Sequence, residues 1–151
     1  MEEKLIKSKT RVKEFAEVFT PNFIVRDMCD LIPAEIWENI ESTFLEPSCG
    51  NGNFIVEILK RKYSRCKTPK DGLKALASVV GIDIQEDNCK ECRERLLAQF
   101  MEHFPTANNI AIATAYKILQ NNIICGDSLK IMESWEEKEQ LSIFDFIEEP
   151  K

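Results

Sequence analysis

The spacing of apolar residues along the chain predicts helices that alternate with short strands. Between residues 87 and 104 the apolar positions recur every three or four residues, which is the period of a helix with one buried face. Shorter apolar runs without that period are typical of buried strands. We predict strands at 43–46, 77–84, 122–125 and 143–147, and helices at 34–41, 52–62, 87–104, 109–119 and 129–137.

A further helix is predicted to begin at Thr20-Pro21 and to end before Pro33. Threonine caps the free amides of a helix start, and proline fits the first helical turn. The apolar residues of this segment would form its buried face, namely Phe23, Ile24, Met28, Leu31 and Ile32. The charged residues before it, 1–19, are expected to form an arm or a short helix that crosses the sheet.

Strands that alternate with helices imply right-handed crossovers and a parallel sheet. We therefore predict the α/β class, with an incomplete doubly wound parallel sheet of about four strands and helices at the N-terminus. The chain of 151 residues fits a single domain, in which residues 1–43 form a helical arm and 44–151 the core. The fourth strand would lie on or near an exposed edge, where a second polypeptide or a second copy could pair with it.

Charge argues against strong nucleic-acid binding by this chain alone, because the net charge is −6 and the isoelectric point is near 5.0. Residues 60–74 nevertheless hold seven basic groups against one acid, and residues 133–151 hold seven acids against two lysines. We interpret them as a solvated loop and a solvated tail, with a basic patch for DNA or a partner as the alternative. No apolar run reaches the roughly 20 residues of a membrane span, so a cytoplasmic location without membrane contact is expected.

Six cysteines without a secretory signal suggest reduced thiols rather than a disulfide framework. Cys89 and Cys92 have the spacing of a metal or redox pair, but no second cluster accompanies them. Both fall on the apolar stripe of the predicted helix 87–104. We expect core packing there and no metal site.

Candidate chemistry lies at the predicted strand ends. Glu46 closes the first strand, Asp83 the second, and Asp127 follows the third. In a doubly wound sheet these ends converge on one crevice. Gly50 and Gly52 would let the backbone turn sharply into the next helix and approach a ligand closely. A carboxylate after the second strand suits the two hydroxyls of a ribose. The ordered combination predicts a cofactor of the adenosine type.

The sequence argues for a particular adenosine cofactor. The three-glycine pattern of nicotinamide sites is not met, because Ile55 occupies the third glycine position. There is also no Gly-Lys-Ser/Thr run to hold a phosphate. A cofactor with an amino-acid end and no pyrophosphate fits better, and S-adenosylmethionine is that molecule.

Four segments, in order, make the chain resemble the N-terminal part of the adenine-N6 DNA methyltransferases of restriction–modification systems. They are 18–21 (Val-Phe-Thr-Pro), 45–54 (Leu-Glu-Pro-Ser-Cys-Gly-Asn-Gly-Asn-Phe), 81–84 (Gly-Ile-Asp-Ile) and 122–129 (Asn-Ile-Ile-Cys-Gly-Asp-Ser-Leu). The resemblance implies a Rossmann-like methyltransferase fold and binding of S-adenosylmethionine or S-adenosylhomocysteine. The cofactor-binding residues that it implies are Phe19, Thr20, Pro21, Glu46, Pro47, Ser48, Gly50, Gly52, Asp83, Ile84, Asp127, Ser128 and Leu129.

The resemblance also implies which residues bind each part of the cofactor. It implies that Thr20, Glu46, Gly50 and Gly52 hold the methionine portion. Asp83 would then bind the ribose, and Asp127 with Ser128 and Leu129 would meet the adenine. No catalytic residue is assigned, because the family's Asn-Pro-Pro-aromatic motif should follow residues 144–147 and Glu148-Glu149-Pro150-Lys151 stand there instead.

Without that motif or a target-recognition domain, we expect the chain alone to transfer no methyl group and to meet DNA only within a complete enzyme. The leading interpretation is a truncated or split adenine DNA methyltransferase. The first alternative is a non-catalytic binding or regulatory module, or a subunit that pairs with a separate catalytic half. The second is a complete methyltransferase for RNA or a small molecule with a different catalytic group.

Overall fold

The structure, a computed structural model, describes residues 2–147, and for residues 139–147 it describes the backbone alone. Helices and strands alternate as the sequence predicts. In chain order they are α1 (Lys9–Phe15), α2 (Asn22–Asp30), α3 (Ala34–Glu38), β1 (Phe44–Glu46), α4 (Asn53–Tyr63), α5 (Pro69–Ala77), β2 (Val79–Asp83), α6 (Glu86–His103), α7 (Asn109–Asn122), β3 (Ile123–Cys125) and α8 (Ser128–Ile147).

The three described strands form one parallel sheet in the order β1-β2-β3. Glu46 is in register with Gly81, and Asp83 is in register with Cys125, so the carboxyl ends of all three strands lie at one edge. The predicted α/β class and parallel sheet are confirmed. A sheet of about four strands is not found in the described part of the chain.

Residues 143–147 were expected to form that fourth strand, but they continue helix α8. Neither glycine nor proline occurs between residues 129 and 147, so no residue ends the helix before the apolar run begins. The prediction of a strand there was wrong. Residues 148–151, at the end of the acidic segment, lie outside the described residues.

One face of the sheet is covered by α4, α5, α6 and α7, which also pack on one another. Right-handed crossovers between neighbouring parallel strands place all of these helices on the same side. Gly81 faces α4 so closely that an added Cβ would lie 2.6 Å from the Ile55 side chain. On the other face Leu45 is exposed, and its register partner Val80 is only half-buried.

The helix α6 packs as its periodicity predicts. Cys89 and Cys92 are completely buried in the same apolar cluster as Leu96 and Phe100. The expectation that both cysteines serve core packing is confirmed. Within the described residues, no helix combines the length and the apolar character that a membrane crossing requires.

Two helix starts differ from the predictions. Thr20 does not cap α2, because Pro21 occupies the N-cap position and the Glu3 carboxylate accepts from the Asn22 amide at 3.0 Å. The stretch 60–74, interpreted as a solvated loop, instead contains the start of α5. Thr68 accepts from the Asp71 amide there, and the following proline occupies the first turn.

The buried face of α2 was also assigned to the wrong residues. Val25 and Cys29 are buried, whereas the apolar side chains expected in the core are largely turned outward. Those that are exposed are Phe23, Ile24, Met28 and Leu31. The helix packs mainly on α4, and this contact covers one side of it.

Lys62 ties α4 to the sheet from inside the protein, where it is 0% exposed. Its Nζ donates to the carbonyl oxygens of Ile40 and Ser42, before β1, and to Ser78 Oγ, before β2, at 2.9, 2.5 and 2.8 Å. Burial lowers the pKa of Lys62 to about 8. Three acceptors therefore compensate an ammonium group that has lost its water. The basic stretch 60–74 thus includes the end of α4 and the start of α5 and holds one buried structural lysine, while most of its basic side chains are exposed as expected.

Replacing this lysine should destabilise the fold. We expect Lys62→Met to lower the free energy of unfolding by about 3 kcal/mol, because the three oxygens lose a charged donor. Lys60→Met, two residues away on an exposed position, should change it by less than about 0.5 kcal/mol. Urea denaturation of both variants measures the difference. Equal stabilities of the two variants would contradict the role given to Lys62.

Candidate functional site

The loop after β1 is held against the end of β2 by hydrogen bonds from two of its backbone amides. The Cys49 amide donates to the Ile82 carbonyl at 2.8 Å, and the Gly50 amide donates to Asp83 Oδ2 at 3.0 Å. Gly50 adopts a φ of 54°, in the left-handed region that glycine reaches without strain. The acid predicted at the second strand end therefore fixes the glycine loop that follows the first.

Asp83 is buried, and its carboxylate accepts hydrogen bonds from several donors. Oδ1 accepts from the Gln85 amide at 2.9 Å and from Asn88 Nδ2 at 3.2 Å. A carboxylate offers about four lone-pair directions, so acceptor capacity remains for a ligand. The Gly126 amide donates to the Asp83 carbonyl at 2.9 Å, which brings the turn after β3 beside the same residue.

The segment before α2 covers this loop. The Phe19 amide donates to the Leu5 carbonyl at 2.7 Å, and the Phe19 ring lies 3.1 Å from the position that a Cβ would take on Gly50. Asn53 Nδ2 donates to the Thr20 carbonyl at 3.0 Å, which joins α4 to the same segment. The backbone reaches this position through Ala16, which adopts a left-handed φ of 51°.

Ion pairs fix the N-terminal residues to α6. Lys7 Nζ lies 3.0 Å from Asp87 and 2.9 Å from Glu91, and Arg11 pairs with Asp87 and with Glu17. The hydrogen bond from Arg11, together with Lys7, holds the pKa of Asp87 well below its usual range. The arm expected at 1–19 is therefore a bound segment with one short helix, and it lies over the ends of the strands.

These parts enclose a cavity of about 360 Å³, within the usual range for small-ligand pockets. Its walls come from three separate stretches of chain. The lining residues are Phe15, Ala16, Glu17, Val18, Phe19, Thr20, Glu46, Ser48, Cys49, Gly50, Asn51, Asn53, Phe54, Asp83, Ile84 and Gln85.

Glu46 supplies the second carboxylate of this cavity. Its Oε1 accepts from the Ser48 amide at 3.1 Å. Burial raises the pKa of Glu46 above its ordinary value, and the Ser48 hydrogen bond offsets part of that change. A partly buried carboxylate at the rim of a cavity is suited to an ammonium group on a ligand, since the pairing would restore the solvation it lacks.

Seven of the thirteen predicted site residues line the cavity together. They are Phe19, Thr20, Glu46, Ser48, Gly50, Asp83 and Ile84. Gly52 lies behind the cavity wall with a φ of 100°, and an added Cβ would lie 2.8 Å from Cys92 Sγ. Pro21 occupies the N-cap of α2, and Pro47 is exposed beside the loop.

The residues predicted to meet an adenine are at the same sheet edge but outside the lining of the cavity. Asp127 Oδ1 accepts from the amides of Leu129 and Lys130 at 3.1 and 3.4 Å, and so it caps α8. Ser128 begins α8, and the Leu129 side chain is exposed. The cavity therefore includes both Glu46 and Asp83, whereas Asp127 lies two residues beyond the end of β3 and outside its lining.

Sequence reasoning missed several cavity residues. Glu17 is an acid between the apolar residues Ala16 and Val18, just before the Phe-Thr-Pro segment, and this isolated charge was an available signal. Asn53 belongs to the Gly-Asn-Gly-Asn stretch, but its side chain joins Thr20 to Arg95 and so serves the fold.

Comparison with known proteins gives one partial similarity. The Type II methyltransferase M.VspI of Vibrio sp. (strain 343) is 33% identical over 78 residues. The aligned segment covers 52% of this chain and 16% of that protein, so the chain matches a small part of the relative's length. No protein-family model and no solved structure matches the chain. The chain is therefore similar to one part of a methyltransferase.

Gly52 should resist substitution for steric reasons alone. We expect Gly52→Ala to lower the free energy of unfolding by about 1–3 kcal/mol, because alanine would adopt an unfavourable φ and collide with Cys92. Thermal and urea unfolding measure the loss. Gly126→Ala is the control, since its φ is ordinary and the flexible end of the Ile131 side chain can move aside. A Gly52→Ala variant as stable as the control would contradict the steric requirement for glycine at position 52.

Proposed function

We propose that residues 1–151 form the S-adenosylmethionine-binding part of an adenine-N6 DNA methyltransferase. The observation that carries the proposal is the common cavity of Glu46, Gly50 and Asp83 at the carboxyl ends of β1 and β2. Phe19 and Thr20 of the leading Phe-Thr-Pro segment close the same cavity. The partial similarity to a type II methyltransferase supports this choice among adenosine cofactors.

The donors and acceptors of the cavity suit each part of this cofactor. Asp83 retains acceptor capacity for a ribose hydroxyl, and Glu46 offers a carboxylate to the ammonium group of the methionine end. Gly50 has no side chain to separate the loop backbone from a ligand. In this proposal Asp127 accepts from the exocyclic amine of adenine through Oδ2. When bound, the cofactor supplies the methyl group that such enzymes transfer.

Calorimetric titration with S-adenosylhomocysteine tests the proposal. We expect Asp83→Asn to weaken binding by tenfold or more, since the neutral amide is a poorer acceptor and replaces one oxygen by a donor. Asp27→Asn, on the exposed side of α2, is the matched control and should bind as the wild type does. If the wild-type chain gives no heat or thermal shift at millimolar ligand, the cofactor proposal fails for this chain.

Glu46 should make binding depend on pH. Only the ionised carboxylate attracts the ammonium group, and burial raises the pKa of Glu46 above 4.5. Affinity of the wild type should therefore fall as the pH is lowered from 7 through that raised pKa, and Glu46→Gln should bind weakly at every pH. The variant should keep its thermal stability at pH 7, because ionisation of Glu46 opposes folding there. A wild-type affinity that stays constant as the pH is lowered from 7 to 4, below the ordinary pKa of a glutamate, would contradict this role.

We further propose that a chain of these residues binds the cofactor without transferring its methyl group. Residues 1–151 contain no Asn-Pro-Pro-aromatic run, the motif that in the resembled family orients the flipped adenine. DNA binding would then need the remainder of a complete enzyme. A transfer assay with labelled cofactor on DNA, RNA and cell extract tests this, and label that appears with wild type but not with Asp83→Asn would overturn it.

The second candidate function is a binding or regulatory subunit that pairs with another polypeptide. One observation favours it: the apolar side of α2 and the residue Leu45 on edge strand β1 are exposed. Light scattering over a range of protein concentrations, with a pull-down, separates the candidates. A monomer that captures no partner but binds S-adenosylhomocysteine would favour the first function.

A further inference from the structure

Asn88, in the first turn of α6, connects two carboxylates that are far apart in the sequence. Its Nδ2 donates to Glu17 Oε2 at 2.8 Å and to Asp83 Oδ1 at 3.2 Å. The two carboxylate oxygens therefore lie no more than 6.0 Å apart, the sum of those distances. Both Glu17 and Asp83 line the cavity, whereas Asn88 lies behind them and is 0% exposed.

An amide buried this completely needs a reason in the structure. Burying a polar side chain is costly unless its groups are hydrogen-bonded, and Asn88 Oδ1 has no partner among the described residues. The two N–H groups, by contrast, separate two carboxylates that would otherwise repel each other. The hydrogen bonds of Asn88 therefore stabilise the two carboxylates that line the cavity.

Glu17 is fixed from a second direction. Arg11 donates to the same Oε2 at 2.8 Å, and Arg11 also pairs with Asp87 on α6. The other oxygen, Oε1, is buried without a partner in the part of the chain that the structure describes. Glu17 is thus held in place through one oxygen, while the second has unused acceptor capacity in a residue that lines the cavity.

We propose that Asn88 is a positioning residue for a diol site that Asp83 and Glu17 form together. A vicinal diol has two O–H donors, and two carboxylates held by one amide can each accept one of them. The site then spans two parts of the fold, because Asp83 ends β2 and Glu17 belongs to the N-terminal segment. This inference rests on the proposed function, in which the diol is the ribose of the cofactor.

The binding of two ligands distinguishes a positioning role of Asn88 from a general structural role. They are S-adenosylhomocysteine and its 2′,3′-dideoxy analogue, which lacks the diol but keeps the rest of the molecule. We expect Asn88→Ala and Glu17→Gln each to weaken binding of S-adenosylhomocysteine by about tenfold or more. Binding of the dideoxy analogue should stay within about twofold of the wild type. Asn121→Ala, on the exposed side of α7, is the control and should change neither affinity.

Thermal unfolding of each variant shows whether it is folded. If Asn88→Ala does not fold, Glu17→Gln tests the inference by itself, because it keeps the shape of the side chain. Equal losses for both ligands, or no loss in a folded variant, would overturn the inference while leaving the proposed function intact. A wild-type chain that binds neither ligand would overturn the proposed function and this inference together.

Discussion

The hydrogen bond from the Gly50 amide to Asp83 is the interaction on which the site depends. It joins the loop after β1 to the end of β2, and the Cys49–Ile82 backbone bond beside it fixes the same two segments. Because β1 and β2 are parallel neighbours, their carboxyl ends already lie together, and this bond converts that proximity into a defined loop. The side chain of Asp83 is therefore both part of the scaffold and part of the cavity wall.

The N-terminal segment is the second part of the arrangement. Its ion pairs with α6 are partly exposed and individually weak, but Phe19 against Gly50 and Asn53 against Thr20 add contacts inside the site. A segment that precedes the sheet in the sequence thus completes a cavity formed by the strand ends. This explains why a motif at 18–21 and another at 45–54 can serve one ligand.

Much of the fold was predictable, because short strands between turn residues and the period of α6 are local signals. The three observed strands fall within predicted ranges, and Cys89 and Cys92 pack where the periodicity places them. The failures have physical causes. No local residue distinguishes a strand at 143–147 from the end of a long helix, and α2 has more apolar surface than its main neighbour α4 covers.

The site was predicted in part for the same reason. Glu46 and Asp83 stand at strand ends and Gly50 in the loop after β1, where the sequence pattern indicates them, and all three line one cavity. Asn88 joins Glu17 across 71 residues of sequence, and no local pattern records such a contact. The residues that sequence reasoning missed are those whose role depends on the packing of the N-terminal segment against α6.

The three stretches that form the cavity, 15–20, 46–54 and 83–85, meet only when the chain is folded. An unfolded chain would offer a small molecule none of this surface, so any ligand of the cavity must shift the folding equilibrium toward the native state. At a free concentration one hundred times its dissociation constant, such a ligand adds about 2.7 kcal/mol to the free energy of unfolding. The melting temperature of this protein is therefore itself a report on what its cavity binds.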